Sequence, residues 1–62
     1  MVTIKISKFF LEFEHDQEEK VQQFIEGYQV EEIKGKKRVY DQPEKLYNII
    51  LEISKIYDIE II

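Results

Sequence analysis

Apolar and polar positions over residues 2–13 alternate in two phases. Ile4 and Ile6 hold one parity, while Phe9, Leu11 and Phe13 hold the other. Successive side chains of a strand point to opposite faces, so one straight strand cannot bury both sets. One extra residue swaps the buried face, and the pattern therefore predicts a strand over this segment with a bulge or bend near Ser7-Lys8. Phe10 is then the odd apolar residue on the outer face. A helix through Phe9, Phe10 and Phe13 is the competing reading, but Glu12, Glu14 and His15 interrupt its stripe.

The period then changes. Val21, Phe24, Ile25 and Tyr28 recur at helical spacing behind Asp16 and Glu19, which have capping-box separation, and Gly27 follows as the expected left-handed terminus. A helix over about residues 17–26 is predicted. Val30 and Ile33, then Val39 and Tyr40, flank Lys34-Gly35-Lys36-Lys37 and predict two short strands joined at the glycine. Asp41 and Glu44 repeat the cap spacing, with Pro43 in the first turn, where a missing amide is harmless. The second helix carries Leu46, Ile49, Ile50, Ile53, Ile56 and Tyr57 as one stripe, and Ile59, Ile61 and Ile62 close the chain as a short strand.

The predicted order is β-α-β-β-α-β over a single α+β domain spanning residues 1–62. Such an order belongs to the ferredoxin-like two-layer sandwich, a four-stranded antiparallel sheet with two helices on one face and the other face open. Sixty-two residues hold one core, and a domain this short is marginally stable.

Composition narrows the function classes. With no cysteine the chain has no disulfide, thiolate metal site or thiol nucleophile, and a reducing, cytoplasmic setting is expected. Thirteen acidic against nine basic residues give a net charge of −4, which opposes approach to a polyanion. Apolar runs are too short for a membrane span, and no membrane partner is expected.

Catalytic and metal chemistry find little support in the residues. His15 is the single histidine, set between Glu14 and Asp16, whereas a metal needs three or four converging donors. Glu12, Glu14 and Asp16 share a strand parity and resemble a carboxylate pair, yet no apolar residue is interleaved on that parity after Phe10 to separate their pKa values. Ser7, Ser54 and Thr3 have no assignable base, and Gly27 and Gly35 stand alone instead of forming a phosphate loop. No enzyme activity, cofactor or metal is expected.

Two surface features remain. Lys34, Lys36, Lys37 and Arg38, with Tyr40 beside them, make a basic tip suited to phosphates and a stacked base. The same lysines equally suit a turn kept in water and an edge strand protected from aggregation. Tyr47 and Leu51, one helical turn apart, lie roughly 100° or more from the centre of the second helix's apolar stripe. With Phe10 they form a candidate protein-contact set.

The apolar first strand, acidic-capped helix, basic hairpin ending in Val39-Tyr40, and Pro43 opening a long helix resemble compact accessory modules of some annealing-helicase ATPases. That resemblance implies a DNA contact. Those modules tend to carry a tryptophan in the hairpin strand, and this chain has none. In outline the chain also resembles ligand-sensing regulatory βαββαβ domains, without their glycine-rich turn after the first strand. The residues point first to a non-enzymatic interaction or regulatory module that contacts protein, a homodimer included. The alternative is a nucleic-acid-binding accessory module using the basic turn.

Overall fold

A computed structural model of the chain describes residues 1–14 and 17–62, and of Glu18 the backbone alone. His15 and Asp16, and with them the expected cap of the first helix, lie outside the described residues. Seven elements follow in order: β1 (Val2–Ile6), β2 (Phe10–Glu14), α1 (Glu18–Ile25), β3 (Gln29–Ile33), β4 (Lys36–Tyr40), α2 (Pro43–Ser54) and β5 (Ile59–Ile61). The five strands form one mixed sheet in the order β3-β4-β2-β1-β5.

The four-stranded antiparallel ferredoxin-like sheet is therefore not what forms, although the α+β class stands. The difference lies in residues 2–13. Instead of one bulged strand, the chain reverses at Ser7–Phe10, where the Ser7 N–H donates to the Phe10 carbonyl at 2.9 Å. In the resulting antiparallel pair Ile4 stands opposite Phe13 and Ile6 opposite Leu11. Even residues of β1 thus share a face with odd residues of β2, and the change of parity comes from a hairpin. Phe9, assigned inward by parity, sits in this turn and is 56% exposed.

The extra strand changes the far edge as well. β1 separates β2 from β5, and β5 runs parallel to β1, pairing Val2 with Ile59 and Ile4 with Ile61. On the other side β2 pairs with β4 and β4 with β3, both antiparallel. The β3–β4 turn has positive φ at Lys34 (49°) and Gly35 (77°), as the two central residues of a type I′ hairpin require. Gly27 takes φ 90° just beyond α1, consistent with its expected role as terminator.

Both helices cover one face. Val2, Ile4, Leu11, Phe13 and Val39 from the sheet meet Val21 and Ile25 of α1 and Leu46, Ile49 and Ile53 of α2 in a single core. Phe24, Tyr28, Ile50, Tyr57 and Ile59 pack at its margin. The α2 stripe is shorter than expected: the helix ends at Ser54, the N–H groups of Ile56 and Tyr57 turn back onto the Ile53 carbonyl, and Ile56 is left exposed. Gln42, not Asp41, precedes α2 as its N-cap, and Asp41 Oδ1 accepts the Gln42 N–H at 2.7 Å. Among the described residues no helix is long and apolar enough to cross a membrane.

Candidate functional site

Strand alternation divides the basic tip. Lys36, Arg38 and Tyr40 point to the face away from the helices, Lys37 points toward α1, where its Nζ donates to Gln22 Oε1 at 3.3 Å, and Lys34 stays in the turn. The five residues do not form one patch. On the open face two of the cations meet carboxylates. Arg38 Nε donates to Glu12 Oε2 at 2.7 Å, and Lys36 Nζ lies 3.7 Å from both Glu12 and Glu14.

Glu12 occupies the middle strand of five and is 7% exposed, so the expected wet carboxylate is covered by its neighbours. The hydrogen bond from Arg38 holds its carboxyl below the usual value, against the opposing effect of burial, with further help from the charges of Arg38, Lys36 and Lys5. That direction is opposite to the raised pKa of a general acid. Glu12 and Glu14 do share a face, as their spacing requires, but both are bound to cations. The third member of the expected carboxylate set, Asp16, lies outside the described residues. Among the described residues no three metal-type donors are grouped to hold an ion.

Phe10 completes this ladder. Its ring centroid is 5.6 Å from that of Tyr40, and the Arg38 guanidinium carbon lies 4.5 Å from the Phe10 centroid. The Tyr40 hydroxyl donates to Glu31 Oε1 at 2.9 Å. Phe10 is therefore occupied by intramolecular partners and is not a bare aromatic platform. Its cation and both neighbouring strands were within reach of sequence reasoning only through the β2–β4 register, which brings Glu12 opposite Arg38 and Phe10 opposite Tyr40.

Tyr47 and Leu51 have a different setting. Five strands about 4.8 Å apart are wider than two helices packed side by side can cover, so a margin of the core face stays open. That margin falls on the β1–β5 side. An apolar groove of about 420 Å³ opens there, walled by Ile6, Ser7 and Lys8 at the hairpin turn and by Pro43, Tyr47 and Ile50 on α2. Ile6, Tyr47, Leu51 and Ile61 are 43, 59, 41 and 55% exposed. Ile6 and Ile61 escaped the sequence reading because their parity marks them as core. It takes the five-strand width to show that no helix reaches them.

Comparison with protein-family models, with curated proteins and with solved structures finds no match to this chain.

Proposed function

We propose that this chain is a non-enzymatic interaction module that acts through protein contact on the flank formed by Ile6, Tyr47, Leu51 and Ile61. The observation that carries this reading is the uncovered apolar margin beside α2, with its groove at the Ile6 end. Ile6 and Tyr47 wall that groove, and Ile61 follows on the same sheet face beside Ile4; exposed apolar side chains gathered at one place, rather than scattered, mark a surface built to be covered. Phe10 drops out of the contact set because Arg38 and Tyr40 already cover its ring.

The nucleic-acid alternative is less well supported. Of its cations, Lys36 and Arg38 face Glu14 and Glu12, Lys37 lies on the opposite face, and the chain's net charge of −4 repels phosphate.

A photo-crosslinking residue placed at Tyr47, and in a separate variant at Lys45, distinguishes these readings in native lysate. Tyr47 is expected to yield a discrete protein adduct, absent from the Lys45 variant and unchanged by nuclease. No adduct at Tyr47, equal labelling from Lys45, or an adduct lost on nuclease treatment would refute the protein-contact reading.

A further inference from the structure

We propose that the chain carries a second, separate site: an aromatic pocket for a quaternary ammonium group, formed by Phe9, Tyr28 and Tyr40 with the carboxylate of Asp41. These residues line one pocket of about 410 Å³ at the end of the sheet, where the β1–β2 turn meets the start of β3 and the end of β4. Its volume falls within the range of small-ligand sites, roughly 300–1,000 Å³. Among the described residues it shares none with the groove beside α2, so this site stands independently of the protein-contact reading.

Backbone hydrogen bonds hold the three segments together. The Asp41 N–H donates to the Phe9 carbonyl at 3.1 Å, which ties the turn to the end of β4. Tyr40 stands opposite Gln29 in the β3–β4 register, and the Tyr28 N–H donates to the Ile25 carbonyl at 3.0 Å as the chain leaves α1. Gly27, at φ 90°, lines the pocket without a side chain, which leaves that wall open.

The lining selects a cation. An aromatic ring is negative on its face and attracts a cation within about 6 Å of its centroid. Phe9 already draws one from its own chain: Lys8 Nζ lies 5.3 Å from its centroid, although Lys8 does not line the pocket. The Tyr40 hydroxyl donates to Glu31 Oε1 at 2.9 Å, which enriches that ring and sets a second carboxylate close by. Asp41 adds negative charge at the wall, and the net charge of −4 favours approach of a cation over an anion.

Methylation follows from what the rings lack. A primary ammonium gives up hydrogen bonds to water that aromatic faces do not return, whereas a trimethylammonium group has no N–H to lose and presents methyl groups to the rings. Phe9 is free for such a contact: parity marks it as core, yet the hairpin leaves it 56% exposed. Contacts at exposed rings are individually weak and the Lys8 charge opposes them, so the dissociation constant is on the order of 1 mM.

The trimethylammonium group has two sources, a free small cation or a methylated lysine of a protein. Choline and a short peptide bearing trimethyl-lysine are the probes, each titrated into the whole chain and followed by NMR. Saturable binding is expected, with amide shifts concentrated at Gly27, Tyr28, Gln29 and Asp41 and with the methyl protons of the ligand moved upfield by the rings. The uncharged isostere of choline, in which a tert-butyl group replaces trimethylammonium, is expected to bind at least about ten-fold more weakly. Phe9→Leu in the exposed turn is expected to weaken choline binding at least about five-fold, and Asp41→Asn about three-fold. A peptide at least about ten-fold tighter than choline would identify a protein as the source, and a smaller difference a free cation. No saturable shift with either probe, an isostere that binds as well as choline, or a folded Phe9→Leu of unchanged affinity would overturn the site. The isostere comparison uses the unaltered chain, so it decides the matter even if a variant fails to fold.

Discussion

Arg38 reaches across the β4–β2 pair to donate to Glu12 at 2.7 Å while its guanidinium lies over the Phe10 ring. One side chain thus satisfies a covered carboxylate and an aromatic face together. A lysine keeps the charge but has neither the planar donor set nor the stacking surface. Arg38→Lys is therefore expected to lower the urea midpoint of unfolding without changing its slope. Arg38→Ala is expected to lower it further, since Glu12 then loses its principal donor.

The same pair sets a pH dependence. Because the Glu12 carboxyl is held below its ordinary value in the folded chain, the unfolded state takes up its proton first as acid is added. The stabilisation is complete above the unfolded carboxylate pKa, about 4.3, and is lost as pH falls through the lower folded value. Glu12→Gln removes this contribution. The stability difference between the parent chain and Glu12→Gln, measured by urea denaturation, is expected to be largest at neutral pH and to shrink below about pH 4.3. A difference that grows with acidification would contradict the pairing.

The β3–β4 turn holds a lysine in a conformation that L residues other than asparagine and aspartate adopt reluctantly: Lys34 has φ 49°. Lys34→Asn supplies the favoured Asn-Gly pair and is expected to stabilise the fold by about 0.5 kcal/mol. Gly35→Ala meets nothing sterically within 4 Å but forces a β-carbon onto φ 77°, and is expected to destabilise by about 1 kcal/mol or more. Thermal unfolding of the two variants measures both.

Titration of labelled single-stranded and duplex DNA, and of RNA, tests the basic turn. No saturable binding is expected at low salt, because Arg38 and Lys36 already face carboxylates. Saturable binding that disappears when Lys34, Lys36, Lys37 and Arg38 become glutamine would establish the nucleic-acid reading instead.

Much of the architecture was legible along the chain because period and punctuation agree there. Val21, Phe24, Ile25 and Gly27 marked α1, Gly35 marked the β3–β4 turn, and Pro43 with Leu46, Ile49 and Ile53 marked α2. The β1–β2 hairpin was not, for a physical reason. A bulge and a reversal both exchange the buried parity, and of the residues by which reversals are recognised the turn Ser7-Lys8-Phe9-Phe10 holds only a serine, with no glycine, proline, asparagine or aspartate. From that one segment came the missing fifth strand, the parallel β1–β5 pair and the wider sheet. The candidate surface was half visible: Tyr47 and Leu51 stand out on the helical wheel, whereas Ile6 and Ile61 belong to it only because two helices cannot span five strands.

Sedimentation equilibrium across micromolar concentrations, at low and at high salt, bears most directly on the self-pairing of this acidic chain through an apolar flank. Reversible dimerisation is expected, and it should strengthen with salt as repulsion between two chains of net charge −4 is screened. A monomer at every concentration, or an association that weakens with salt, would contradict self-pairing through that flank.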